Sequence, residues 1–258
     1  MKKLVLFVLI ALGVSCSAIH KPQAHAAPSV TAPAPAAPAA PSSAVNMEEL
    51  MSLLGGEPDA PETDVKCPAT GHCVLYQRLN GPVDDEHVVH VMATLKAAKA
   101  GQIVMLDINT PGGSLSTGFE LEKALESTPA QVFCVVDGDA YSMGFYLLQS
   151  CQYRVMTKRS SLMAHEPLEV TQGPTPLTIR TLEDIQADLH TSARALAEQA
   201  ISRMKMTYEE FFAKVHAKNW FMAWPEAQAR GAVDCVYAGT GASARKELGE
   251  TGALTCQK

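Results

Sequence analysis

Ser142 and His165 are the pair that could do nucleophilic chemistry. A serine hydroxyl attacks a carbonyl only when a base takes its proton, and imidazole suits that task at neutral pH. Ser142 lies in Gly138-Asp139-Ala140-Tyr141-Ser142-Met143-Gly144. The apolar run Val132 to Val136 before it reads as a buried strand, and Met143 to Ser150 after it reads as a helix. A serine at such a junction is pushed out of the sheet, with the first N–H groups of the helix facing whatever binds there. His165 follows in Met163-Ala164-His165-Glu166-Pro167, after a further strand-like segment. Helix, turn and strand suffice to return an imidazole beside the serine. Serines that open helices are commonly N-caps, and single histidines are commonly structural. The catalytic reading gains weight from Asp107 to Ser114, where the apolar run Ile103 to Ile108 ends in Pro111-Gly112-Gly113. A glycine pair can turn backbone N–H groups toward a developing oxyanion.

The segments that must position these residues alternate between strand and helix. Cys73 to Leu79 is β-rich and ends in the turn signal Asn80-Gly81-Pro82. Asp84 to Ala100 reads as a helix with Val88, Val91, Met92 and Leu95 at helical spacing. Ile103 to Ile108 is the next strand. Leu115 to Leu125 is the next helix, with Ser114 as its cap. Beyond His165, Leu168 to Pro176 reads as a loop and Leu182 to Met204 as one long helix. Thr207 to Val215 is a capped helix, Trp220 to Met222 a short apolar run, and Ala232 to Val236 a final strand. The rhythm predicts an α/β architecture.

The 258 residues are 47% hydrophobic, enough for one sizeable core. A net charge of −6 with no basic cluster argues against nucleic acid as a partner. His87 and His90 sit among Asp84, Asp85 and Glu86, a pattern better suited to a solvated helix start than to a metal. His72 with Cys67 and Cys73 supplies too few ligands for zinc. Neither a metal nor a cofactor is expected.

Residues 1–18 read as an export signal: Lys2 and Lys3 precede the apolar run Leu4 to Val14. Leu12-Gly13-Val14-Ser15-Cys16 resembles a lipobox, which would make Cys16 a lipidated membrane tether. Cleavage after Cys16-Ser17-Ala18 or Ala24-His25-Ala26 is the other outcome. Both place the protein outside the cytoplasm, in a periplasm or anchored to a membrane. Residues 19–46 form an Ala- and Pro-rich linker suited to an extended spacer. Residues 47–258 form the folded domain, with a short amphipathic helix at Met47 to Leu54. Six cysteines remain beyond Cys16, an even number that suggests disulfides. Cys134 precedes the serine and Cys151 ends the helix after it, so a helix packed back on its strand would pair them. Cys67 and Cys73 flank a tight segment, which leaves Cys235 for Cys256.

Asn109-Thr110-Pro111-Gly112-Gly113, Tyr141-Ser142-Met143-Gly144, Met163-Ala164-His165-Glu166-Pro167 and Trp224-Pro225-Glu226-Ala227-Gln228-Ala229-Arg230-Gly231-Ala232-Val233-Asp234 occur in this order. Together they resemble the proteolytic subunits of the Clp protease family, over about Val74 to Ala238. The resemblance implies the Clp protease/crotonase-like fold of repeated ββα units, with a long protruding helix that acts as a handle between stacked rings. It implies a homo-oligomer and a serine peptidase. Ser142 would be the nucleophile, His165 the base, and Gly113 and Met143 N–H groups the oxyanion hole. An extended peptide would pair along Pro111, Gly112, Ser114 and Leu115. The family's third residue, an aspartate, falls on Asn219 here. Its amide is expected within hydrogen-bonding reach of His165 Nδ1, with Glu166, Asp184 and Asp188 as substitutes. Asparagine can accept a hydrogen bond but cannot stabilise an imidazolium by charge. A catalytically silent peptide-binding module is therefore the competing reading. The family's ATP-driven partner ring has no ATP outside the cytoplasm, and the chain carries no Walker motif. Its expected substrates are peptides or already unfolded protein.

Overall fold

Strand β3 (Gln131–Tyr141) is the axis of the sheet, and it has two different neighbours along its length. The computed structural model describes residues 67, 69–168 and 178–257. The export signal, Cys16, the linker and the Met47 to Leu54 helix lie outside the described residues, as does most of the loop after Leu168.

Three units repeat before the serine. Strand β1 (Val74–Asn80) leads to α1 (Asp85–Ala97), β2 (Ile103–Thr110) to α2 (Leu115–Ser127), and β3 to α3 (Met143–Ser150). Strands β1, β2 and β3 are parallel, and β4 (Tyr153–Thr157) continues the sheet parallel to the first half of β3. The second half, Asp139 to Tyr141, pairs instead with β5 (Ser161–Ala164). Strand β6 (Trp220–Ala223) is antiparallel to β5. The main sheet ends with β7 (Cys235–Tyr237) and β8 (Cys256–Gln257). The remaining helices are α4 (Ile179–Ile201), α5 (Tyr208–Val215), α6 (Trp224–Arg230) and α7 (Gly241–Thr251).

Side chains alternate across a strand, so the sheet presents two faces to two apolar layers. Val104, Leu106, Cys134, Val136 and Met156 face the larger core with α1, α2 and α3. Met105, Phe133, Val135, Val155 and Tyr237 face a smaller core closed by Ala244 and Leu248 of α7. Cover on both faces explains why β2 opens on four consecutive apolar residues, Ile103 to Leu106, rather than an alternation.

Strand β3 runs five residues' worth of chain past the expected end at Val136, because Asp137-Gly138-Asp139 is not the break it resembles. The β2–β3 register shifts between Ile108 and Thr110, and the Asn109 side chain fills the irregularity. Asn109 Oδ1 accepts from the Asp139 N–H at 3.1 Å, and its Nδ2 donates to Asn80 at 2.8 Å. Helix α4 starts and ends three residues earlier than the sequence suggests, capped by Thr178. Its buried residues, Leu196, Ala197 and Ala200, all lie near its C-terminal end. Ile179 and Leu182 at the other end are exposed. The helix thus protrudes from the body. Helix α7 is absent from the sequence reading. Its signals are a Thr240–Ser243 capping box and a left-handed cap at Gly252.

Three disulfides join Cys67 to Cys73, Cys134 to Cys151 and Cys235 to Cys256. Cys67 and Cys73, bonded to each other, cannot be zinc thiolates. Arg154, almost wholly buried, is the other cross-link. Its Nη2 donates to Asp234 Oδ1 at 2.5 Å, its Nε to Oδ2 at 3.1 Å, and its Nη1 to Gln149 at 2.7 Å. The Asp234 carboxylate also accepts from the Arg154 N–H and from Arg203. Among the described residues no helix is long and apolar enough to cross a membrane.

Candidate active site

Ser142 occupies the N-cap position of α3 but does not act as a cap. Its backbone has φ 52° and ψ −121°, and its side chain makes no capping bond. Such a conformation costs a non-glycine residue roughly 1–3 kcal/mol unless the surroundings impose it. Here β3 fixes one side and α3 the other. The Ser142 N–H donates to the Met163 carbonyl on β5 at 2.8 Å, and its carbonyl accepts from Phe145 N–H at 3.0 Å. The hydroxyl is left uncommitted at a half-buried position.

Close approach of β2 to this turn depends on small residues. Gly112 has φ +95° and packs against the serine: a Cβ there would stand 2.5 Å from Ser142 Cβ and 2.7 Å from the Tyr141 oxygen. Next to it, Gly113 forms an isolated parallel bridge with Val83. Val83 N–H donates to Gly112 O and Ser114 N–H donates to Val83 O, each at 2.8 Å. In that pattern the N–H and C=O of Gly113 itself point to the opposite edge, and Gly113 is exposed. Met143 is the first residue of α3, so its N–H has no acceptor within the helix. Among the described residues, the Gly113 and Met143 main-chain donors therefore have no intramolecular acceptor in the segments that meet at Ser142.

The edge read from Pro111 to Leu115 is shorter than expected. Ser114 caps α2 by accepting from the Thr117 N–H at 3.3 Å, and Leu115 is already helical. Gly112 is buried behind the serine. Pro111 and Gly113 are the exposed part of this edge.

His165 follows directly on β5, whose Met163 is in register with Tyr141 of β3. Ser142 and His165 thus leave the ends of neighbouring parallel strands. The Tyr146 hydroxyl, one helical turn beyond Ser142, donates to the His165 carbonyl at 2.9 Å. Burial, followed by the Glu166 charge, pushes the Tyr146 phenol well up, so it stays a protonated donor. The His165 Nδ1 meets the carbonyl oxygen of Glu166. A carbonyl only accepts, so this contact requires a proton on Nδ1 and, in the neutral ring, leaves the lone pair on Nε2.

Asn219 makes no hydrogen bond to His165 among the described residues. The β5–β6 ladder ends at Ala164 opposite Trp220, which brings Asn219 level with His165. Pairing stops there, however, and Nδ1 is already engaged by the adjacent peptide. Asn219 is exposed. Asp184 and Asp188 lie on the exposed part of α4. The Glu166 carboxylate turns away from the imidazole to bind His216 Nδ1 at 3.0 Å and the Ala217 N–H at 3.0 Å. Burial pushes this carboxyl up, but the His216 and Ala217 bonds and the charges of His216 and His190 outweigh it and hold it below the usual range. Sequence reasoning missed Tyr146 and the backbone of Glu166, since neither role depends on a distinctive residue type.

A family model described as Clp protease matches residues 72–240, which spans β1 to β7 and includes Ser142 and His165. Two similar proteins are each called ATP-dependent Clp protease proteolytic subunit, from Streptococcus pneumoniae strains Hungary19A-6 and CGSP14. Each is 31% identical over 152 residues, covering 56% of this chain and 76% of the relative. With the parallel sheet, the strained serine and the protruding helix, this match settles the kinship: the chain belongs to the Clp protease family, whose chemistry is of the peptidase type.

Proposed function

We propose that this chain is an exported serine peptidase that cleaves peptides or unfolded protein without ATP. The observation that carries the reading is Ser142 itself: a serine at the helix-opening position, at positive φ, with no capping bond. A serine retained there for helix stability would cap. Ser142 attacks the peptide carbonyl while His165 Nε2 takes its proton. The N–H groups of Gly113 and Met143 receive the oxyanion, and the outward main chain of Gly113 pairs with the substrate. Three disulfides favour an oxidising compartment, where ATP is not supplied. The name "proteolytic subunit" of the relatives and the exposed Ile179 and Leu182 of α4 favour a homo-oligomer.

One observation favours the silent peptide-binding module instead: among the described residues no carboxylate is bonded to His165. A fluorophosphonate probe separates the two. Labelling of the folded wild type, lost on Ser142→Ala, supports the peptidase. A folded protein that binds an unstructured peptide but takes up no probe is the binding module.

The packing behind the serine makes its own prediction. Gly112→Ala forces a Cβ into Ser142 and Tyr141, at a φ that alanine tolerates poorly. Displacing reacting groups by about 1 Å costs on the order of 100-fold in rate. The variant should label and turn over at least about 100-fold more slowly, and thermal melting should show a loss of about 2 kcal/mol. Wild-type labelling would mean that Gly112 does not set the position of the nucleophile.

A further inference from the structure

We propose that Glu166 is the positioning residue for His165, acting through its own peptide: its carbonyl oxygen holds the Nδ1 proton, and its carboxylate fixes that peptide by gripping the turn at His216 and Ala217. The proposal rests on reading Ser142 and His165 as nucleophile and base.

The argument begins with what a base needs from its third partner. That partner must accept from Nδ1, so that Nε2 is bare, and must keep the ring from rotating. An acceptor of either kind fixes the tautomer, while only a carboxylate adds charge. The acceptor here is a backbone carbonyl, and a carbonyl on a loose strand end would hold nothing in place.

The two peptides that follow the histidine are both held. The His165 carbonyl accepts from Tyr146 at 2.9 Å, a buried hydroxyl on the helix opened by Ser142. The residue whose carbonyl serves the imidazole carries a carboxylate with two partners. Glu166 accepts from His216 Nδ1 at 3.0 Å and 3.1 Å and from the Ala217 N–H at 3.0 Å. Ala217 has φ +54°, the other described non-glycine residue besides Ser142 with positive φ. His216 is in turn stacked on Phe212 of α5, with ring centroids 4.7 Å apart. The turn is thus anchored to a packed helix, and Glu166 transmits that anchor to the imidazole. Asn219, between that turn and β6, makes no hydrogen bond to the ring among the described residues.

The test uses the full chain and four substitutions, Glu166→Ala, Glu166→Gln, His216→Ala and Asn219→Ala, each checked for a wild-type fold by circular dichroism. In Glu166→Ala, kcat for an unstructured peptide should fall by about 10-fold or more with KM within about 2-fold, since a positioned base contributes 10²- to 10⁴-fold. Glu166→Gln still accepts from Ala217 and should regain most of that loss. His216→Ala removes one partner and should lie between them. The second readout needs no turnover. In protein labelled with ¹⁵N-histidine, His165 should be a single Nδ1-protonated tautomer in the wild type and a mixture of tautomers in Glu166→Ala. A general weakening of the fold would not produce that signature. The proposal is overturned if Glu166→Ala keeps both the wild-type kcat and the single tautomer. It is equally overturned if Asn219→Ala costs more than Glu166→Ala on both measures. Should the wild type neither hydrolyse peptide nor take up a fluorophosphonate, the peptidase reading falls, and the tautomer measurement alone still decides whether Glu166 positions the ring. If Glu166→Ala does not fold, unchanged kcat and an unchanged single tautomer in His216→Ala reject the proposal.

Discussion

Ser142→Ala is expected to abolish peptide turnover, while Ser142→Gly, equally inactive, should be the more stable of the two. Without a nucleophile only the oxyanion donors and binding remain, and the loss in kcat should exceed about 10³-fold. The stability ranking follows from the backbone. At φ 52° and ψ −121° any side chain is strained, by roughly 1–3 kcal/mol, and glycine is not. Alanine keeps the strain of the wild type and should melt within about 1 kcal/mol of it. Glycine removes the strain but gains freedom in the unfolded chain, worth about 0.4–1 kcal/mol, so a net gain of about 1 kcal/mol over alanine is expected. Peptide kinetics and denaturant melts of the three proteins check both parts. A glycine variant less stable than alanine would mean that the turn is not strained.

Asp234→Ala should cause the largest loss of stability among simple surface-accessible changes, about 3 kcal/mol, by leaving the Arg154 guanidinium buried without its carboxylate. The value belongs at the low end for such a pair, because Asp234 is partly open to water and Gln149 still accepts from Arg154. For a domain of this size that is a fall of about 6–12 °C in Tm. Arg154→Met combined with Asp234→Ala should recover part of it, since no unpaired charge remains. The pair also sets an acid limit. Burial raises the Asp234 carboxyl, but the Arg154 bonds and the charges of Arg154 and Arg203 outweigh it and hold it below its ordinary value. A carboxyl lowered on folding stabilises fully above its unfolded value, about 3.9. That contribution drains away as the pH falls below 3.9 through the lowered folded value. Melts from pH 2 to 6 should therefore show a drop below about pH 4 that is smaller in Asp234→Ala. Parallel curves would place the acid limit elsewhere.

The strand–helix rhythm up to Ser150 was legible because each element there carries a periodic apolar pattern and a capping or turn residue. Helix α3 matches its expected span, Met143 to Ser150, and α5 begins directly after its expected cap, Thr207. The end of β3 was not legible. Asp-Gly-Asp reads as a turn, but the Asn109 side chain on the neighbouring strand bonds the Asp139 N–H where the β2–β3 ladder shifts register, and β3 runs on to Tyr141. Helix α7 was missed because its buried face is just Ala244 and Leu248 beneath a polar exterior. At the site, Ser142, Gly112 and Gly113 announced themselves by residue type. The partner of His165 did not, because any residue could supply a carbonyl. Reading a third side chain from a family pattern pointed to Asn219, which the register places level with His165 but which makes no hydrogen bond to it among the described residues.

The fork in β3 also partitions the molecule mechanically. Strands β1 and β8 lie at opposite edges of the main sheet, and the path between them runs through β2, β3, β4 and β7. The β5–β6 pair, which leads into His165, hangs from the second half of β3 and lies off that path. Tension applied between the two edges is carried across the central ladders, and the β5–β6 pair beside the serine lies off that path. A pull on either edge strand, from a tether or from a neighbouring subunit, would load the frame before it disturbed the geometry at Ser142.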